Sequence, residues 1–447
     1  MGKYFGTDGI RGVANAELDA RLAFRAGFAA ATVVGEETGR RPRAIIGKDT
    51  RISSDMIEAA LIAGLCSGGA DASSLGVLPT PAIAYLARKT GADLGIVVSA
   101  SHNPYEHNGI KFFNSHGFKL SDEREARIEG IIDSPEALPL RTHGEMGRVI
   151  RDTSSFDTYI DHVAERATGD FGKIKAVVDC ANGAASVTAR RLFRKIGARV
   201  KFIHDRPDGV NINAACGSTH IDALRRAVTH GGCDIGFAFD GDADRCLMID
   251  ERGELIDGDV ILAVNAAHMK KLGTLKSNAV VGTIVSNSGL DEFGKNEGIE
   301  VLRSDVGDRN VIELMKKSGA NLGGEASGHT IFLDDCTTGD GQLSAVKLLN
   351  ILAATGKTAS ELTAAVPRFP QVIVNAIAAT AEDKRRIMAS PQLALAIEAA
   401  EKALAGQGRI LVRPSGTEAY IRVTVEAETE RKAGECAAQI AEIAESL

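Results

Sequence analysis

Three times along this chain a short apolar run gives way to a small polar or Gly-rich loop and then to a stretch of helical periodicity. The first instance is a strand at Ala44 to Gly47, a loop at Lys48 to Ser54, a helix from Asp55 to about Cys66 and a second strand at Leu94 to Val98. The second has a strand at Ile174 to Val178, a turn at Asp179 to Gly183 and a helix from Ser186 to Ile196, with Gly197 as a left-handed cap. The third has a strand at Ala279 to Ile284 and a turn at Ser286 to Gly289 before its helix. Strands alternating with helices predict sheets flanked by helices, an α/β class, and the repetition predicts three related domains.

From residue 371 onward the pattern changes. Gln371 to Ala379 reads as a strand, residues 381 to 405 as helices, Arg409 to Val412 and Tyr420 to Glu426 as paired strands, and Thr429 to Ser446 as a last helix. This predicts a smaller α+β domain, set off by Pro367 and Pro370 as a linker. A chain of 447 residues needs such a division, because single cores serve roughly 100–200 residues. With 44% hydrophobic residues, 4% aromatics and no Trp, those cores must be built from Ala, Val, Ile and Leu. The expected domains are 1–153, 154–254, 255–367 and 368–447.

Composition also excludes. Seven scattered cysteines with no C-x-x-C pair read as reduced thiols, which predicts a cytoplasmic protein. The first residues lack an apolar signal core, and no stretch approaches a membrane span. Gly2 is followed by Gly6 where N-myristoylation needs Ser or Thr. A net charge of −7 argues against nucleic acid and anionic membrane as partners, but not against a small phosphate ligand, which needs only a local cluster of donors.

Five loops carry chemistry. Asp240-Gly-Asp-Ala-Asp-Arg245 follows the apolar strand Ile235 to Phe239 and can aim three carboxylates at one hard cation. A solvated acidic turn is the plain alternative. An EF-hand loop is excluded, because Arg245 stands where that loop needs Gly and Cys246 to Ile249 continues as a strand. Mg²⁺, with coordination positions left for a phosphoryl oxygen, fits better. Ser99-Ala-Ser-His-Asn-Pro104 follows the strand Leu94 to Val98, so Ser101 is either a loop-capping serine or a nucleophile standing clear of the sheet. Asn108-Gly-Ile-Lys111 brings a cation near it. Gly323-Gly-Glu-Ala-Ser-Gly-His329 is a turn between core strands, or a loop in which Glu325 and Ser327 meet sugar hydroxyls. Arg413-Pro-Ser-Gly-Thr-Glu418 with Arg422 combines guanidinium forks, Ser415 and Thr417 hydroxyls and the Gly416 backbone as an anion nest. Phe5-Gly-Thr-Asp-Gly-Ile-Arg-Gly12 places Arg11 in a Gly-flanked loop, whose Phe and Ile predict that it is docked.

In this order and spacing the loops resemble those of the α-D-phosphohexomutase superfamily over essentially the whole chain. The closer resemblance is to its bacterial branch acting on glucosamine phosphates. It rests on residues 4–12, on Asn108-Gly-Ile-Lys-Phe-Phe113, on Val306-Gly-Asp-Arg309 and on Thr337-Thr-Gly-Asp-Gly341. The resemblance implies four domains around a deep cleft and reversible conversion of glucosamine 6-phosphate to glucosamine 1-phosphate through a 1,6-bisphosphate. That reaction feeds UDP-N-acetylglucosamine and cell-wall precursor synthesis. It implies Ser101 as the phosphoserine and as a contact to the metal, and Asp240, Asp242 and Asp244 as ligands of one Mg²⁺. Arg11, Lys111 and His329 match electrostatic or proton-transfer positions. Arg245, Glu325, Ser327, Arg413, Ser415, Gly416, Thr417 and Arg422 match substrate contacts. Glucosamine or glucose 1,6-bisphosphate is the implied priming donor, sugar phosphates are the partners, and a homodimer is compatible. Two departures stand out: Ala326 replaces a common Gln, and Glu106-His107 precedes Asn108-Gly. The rivals are the glucose- and mannose-phosphate branches, a serine-dependent sugar phosphatase and a non-catalytic sugar-phosphate sensor.

Overall fold

The computed structural model describes residues 2–6, 8–134, 138–152, 155–404, 408–415 and 419–447. They form four sheets flanked by helices: three mixed α/β layers and a smaller antiparallel sheet at the end of the chain. The first sheet has seven strands, and within it Arg43–Lys48 runs parallel to the central Leu94–Val98 on one side and to Asp71–Val77 on the other. The strand Asp71–Val77 and the helix Thr80–Thr90 fall inside the first sequence unit, between its helix and its second strand. Asp-Ala-Ser-Ser-Leu-Gly-Val is poor in β-branched residues, and neighbours rather than propensity hold it in the sheet. The helix cap expected at Gly197 is present, with φ of 74°.

One feature recurs in all four sheets and explains where the chemistry sits. Leu94–Val98 is joined to the antiparallel His107–Asn114, Ile235–Phe239 to the antiparallel Cys246–Asp250, and Leu322–Gly324 to the antiparallel Thr330–Phe332. In the last sheet Gly408–Pro414 is joined to the antiparallel Tyr420–Ala427. The connections contain Ser101, the Asp240 to Asp244 triplet, Glu325 to Ser327, and Ser415. Each apolar strand is anchored in a core, so each loop is carried at a rigid sheet end.

The apolar core is continuous from one face of the first sheet through the second and third, whereas the last sheet has its own core of Ala376, Ile421, Val423, Val425, Ala437 and neighbours. Its seam with the third domain is polar. The Asn287 side chain exchanges bonds with Phe369 O (2.8 Å) and Phe369 N–H (3.1 Å), Arg409 Nη2 donates to Ser286 O (2.6 Å), and buried Glu426 accepts from Ser288 N–H (3.1 Å). The N-terminal loop is docked as expected: Phe5 and Ile10 are buried, and Gly9–Val13 pairs with His107–Asn114. No described helix is long and apolar enough to cross a membrane, and all seven cysteines are free thiols.

Candidate active site

Ser101 sits at the end of its strand with φ of 54° and is 1% exposed. Its hydroxyl donates to Asp240 Oδ2 at 2.6 Å, across the boundary between the first two domains. That approach requires Gly241, because a Cβ there would lie 2.6 Å from Ser101 O. The three carboxylates of the metal loop gather, with one oxygen of each lying within 4.8 Å of the others. Lys111 Nζ is buried among them, 2.8 Å from Asp242 Oδ2, 3.4 Å from Asp244 Oδ2 and 3.1 Å from Asp8 Oδ2. Burial works against its charge, but these three carboxylates outweigh burial and keep it an ammonium. Burial likewise opposes ionisation of Asp244, yet Lys111 and His329 hold it well below the usual carboxylate range. Asp240 goes the other way: burial and then the charges of Asp244 and Asp242 push it well up. Asp242 Oδ1 and Asp244 Oδ1 are buried without a hydrogen-bond partner in the protein, so this oxygen-only donor set fits a hard cation.

His102 adjoins the same hydroxyl, with Nδ1 3.4 Å from Ser101 Oγ. Burial, reinforced by Arg245 and Arg11, lowers its pKa to about 4 and keeps the ring neutral. Burial alone would lower His329 too, but Asp244, Asp308 and Glu325 raise it to about 9. The Gly339 amide lies 2.9 Å from His329 Nε2 and takes its lone pair, which favours a neutral ring with the proton on Nδ1. The two influences oppose each other.

The sugar loop is braced from beneath. Glu325 Oε1 accepts from Gly307 N–H at 3.1 Å, and Gly258 N–H donates to Ala326 O at 3.0 Å, so Ala326 contributes through its backbone. A Cβ on Gly258 would lie 1.9 Å from Glu325 O. On the last sheet Arg413 stands directly opposite Arg422. Like charges placed so repel; burial and then Arg422 lower the Arg413 pKa, while Glu325 raises it, placing Arg413 within the field of the sugar loop. Ser415 is buried beside them; Gly416 and Thr417 lie outside the described residues.

Among the described residues nine buried side-chain polar atoms have no hydrogen-bond partner in the protein. Six belong to predicted site residues: Arg11 Nε, Asp242 Oδ1, Asp244 Oδ1, Arg245 Nε, Ser327 Oγ and Arg413 Nε. Buried polar groups are rarely left so unless water, an ion or a ligand serves them. The structure also gives parts to motifs that sequence left without a role. Asp308 pairs with Lys119 at 2.8 Å, Lys119 pairs with Asp8 at 2.5 Å, and Arg309 donates to Glu125 at 2.9 Å, tying the third domain to the first. The surroundings of His102 come in part from another domain, since Arg245 and Asp244 of the second domain act on its ring.

Models of the four domains of the phosphoglucomutase/phosphomannomutase family match residues 2–138, 157–253, 257–369 and 374–443: three alpha/beta/alpha domains and the C-terminal domain. The chain belongs to this family, and its catalytic class is that of the phosphohexomutase isomerases. Its similarity is high to the phosphoglucosamine mutase of Acetivibrio thermocellus, 49% identical over 95% of both chains. The phosphoglucosamine mutase of Clostridium novyi is 49% identical over 100% of this chain and 99% of its own. Among solved structures, Aspergillus fumigatus N-acetylphosphoglucosamine mutase in complex with GlcNAc-6P and magnesium superposes with a TM-score of 0.74 at 19% identity, over 99% of this chain and 95% of that one.

Proposed function

We propose that this chain interconverts glucosamine 6-phosphate and glucosamine 1-phosphate in the cytoplasm, with Ser101 as the phosphoryl carrier. The observation that carries this reading is the pairing of two anion sites. A serine hydroxyl sits on a carboxylate triad in the first two domains, and Arg413, opposed to Arg422 on the last sheet, lies in the field of Glu325 on the sugar loop. A phosphatase has no use for the second. The amino sugar is supported by the roughly 50% identity to relatives of that name.

Phosphoryl transfer asks mainly for alignment and charge neutralisation. Phospho-Ser101 would give its group to O1 of glucosamine 6-phosphate as that hydroxyl loses its proton to a neighbouring base. The resulting 1,6-bisphosphate would turn around, and its 6-phosphoryl group would return to Ser101. Arg11 and Lys111 would balance the charge that moves, Glu325 and Ser327 would take sugar hydroxyls, and Arg245 would span the triad and the sugar loop. A cation held by Asp240, Asp242 and Asp244, Mg²⁺ in this proposal, would neutralise phosphoryl oxygens when bound. Intact-mass measurement with turnover assays is the test. Phosphate on Ser101, a higher kcat/KM for glucosamine 6-phosphate than for the glucose and mannose phosphates, and no steady release of free phosphate are expected. Dominant free phosphate would establish the phosphatase instead.

Both half-reactions use one Ser101, so the unreacting phosphate needs a separate holding place. Arg413, Ser415 and Arg422, with Gly416 and Thr417, have the chemistry, and the polar seam of the last domain lets it open and close without breaking an apolar core. Arg413→Ala should raise KM at least about tenfold, equivalent to about 1.4 kcal/mol, and release more free 1,6-bisphosphate per turnover. A normal KM without such leakage would place the holding site elsewhere.

A further inference from the structure

We propose that Arg51 and Asn213 are positioning residues that hold the Ser101 loop in its reactive shape, one from each of the first two domains. The inference rests on Ser101 being the phosphoryl carrier. Arg51 lies in the polar loop after Arg43–Lys48, and its side chain is 0% exposed. Its guanidinium gives away all its donors. Nε donates to Asp49 Oδ2 at 2.8 Å, Nη1 to the carbonyls of Pro104 and His107 (3.0 Å to the latter), and Nη2 to the carbonyls of Ser101 (2.9 Å) and Asn103 (2.8 Å). One planar fork therefore gathers four carbonyls of residues 101–107.

The amide of Ser101 traces to the same ion pair. It donates to Ser99 Oγ at 2.9 Å, and Ser99 Oγ donates to Asp49 Oδ2 at 2.6 Å. With both its backbone groups fixed in this way, Ser101 keeps its left-handed φ and its hydroxyl on Asp240. Asn213 completes the hold from the second domain, its Nδ2 donating to Ser101 O at 2.9 Å and Asn103 O at 3.0 Å. These are the two carbonyls that Arg51 Nη2 takes. Asn213 is itself set by its amide on Ala181 O at 2.9 Å, and Asp179 braces the surrounding loops by accepting from Ala181 N–H, Gly217 N–H and His204 Nδ1. Thr50 Oγ1 on Asn182 O, at 2.6 Å, ties the same two loops together. The nucleophile is thus in place only when the two domains are docked.

A misplacement of about 1 Å at a reacting atom can cost about 100-fold in rate. Lysine brings one nitrogen and cannot span four carbonyls and a carboxylate. In the full-length enzyme primed with glucose 1,6-bisphosphate, Arg51→Lys should lower kcat per phosphorylated molecule about 100-fold and Asn213→Ala about tenfold, each leaving KM for glucosamine 6-phosphate within about threefold. The double variant should lose less than the product of the two, because both side chains serve the same carbonyls. A folded variant whose Ser101 cannot be primed would support the proposal equally. A role in stability alone would lower Tm and the folded fraction while leaving kcat per phosphorylated molecule at the wild-type value, and that result overturns the proposal. Should Arg51→Lys not fold, Asn213→Ala decides, and a wild-type kcat there overturns it. Active wild-type enzyme without phosphate on Ser101 would overturn the carrier reading itself, and this inference with it.

Discussion

Replacing Ser101 with Ala should reduce turnover by about 10⁴-fold or more, the scale on which loss of a covalent nucleophile is felt in other enzymes, while sugar phosphate still binds. Substrate binding is assigned to other loops: Glu325 and Ser327 on the third domain, and Arg413, Ser415 and Arg422 on the fourth. The backbone groups that shape the Ser101 loop are held by Arg51, Asn213 and Ser99, none of which the substitution touches. What is lost is one hydroxyl and its bond to Asp240. Ser99 provides the internal control, since it lies two residues away but its hydroxyl is engaged with Asp49 and the Ser101 amide. Ser99→Ala should therefore keep the phosphoprotein, whereas Ser101→Ala should lose it. The opposite pattern by intact mass would make Ser99 the carrier.

Most of the fold was legible because it depends on local pattern. Apolar runs such as Ile235–Phe239 bounded by turn residues mark central strands wherever they occur, and the α/β repetition and the distinct tail followed from them. The strand Asp71–Val77 was not legible, since its polar sequence is strand only through its neighbours in the sheet. The site was legible where chemistry is dense within one loop, as in Asp240 to Asp244 or Glu325 to Ser327. It was not legible where a residue acquires its meaning from another domain. Arg51 belonged to a loop that sequence showed only as polar, Asn213 had no motif, and the meaning of Asp308 depends on Lys119, 189 residues away. Single-sequence reading has no access to such contacts, because nothing in the local pattern of either partner announces the other.

The second large effect concerns the triad, and its sign is less obvious. Asp240→Asn should lower activity by about 100-fold or more, as loss of a group that manages transition-state charge does, yet the metal-free protein should melt no lower than wild type. Folding raises the Asp240 carboxyl pKa through burial and then the charges of Asp244 and Asp242. A carboxyl raised by folding binds its proton more tightly in the native state than in the unfolded chain. Its ionised form therefore works against folding, and stability falls as pH climbs from the ordinary carboxyl range toward the raised native value. Asparagine keeps the shape, can still accept from Ser101 Oγ, and removes that charge. Metal reverses the comparison. A cation that binds only the folded state stabilises by RT ln(1 + [L]/Kd), about 2.7 kcal/mol at a hundredfold excess over Kd, and the variant has lost one of its three carboxylate ligands. Millimolar Mg²⁺ should thus raise the wild-type Tm and move that of the variant far less, while the metal-free Tm of the variant should depend less on pH above the ordinary carboxyl range. An equal Mg²⁺-dependent rise in both proteins would show that the cation is held without Asp240.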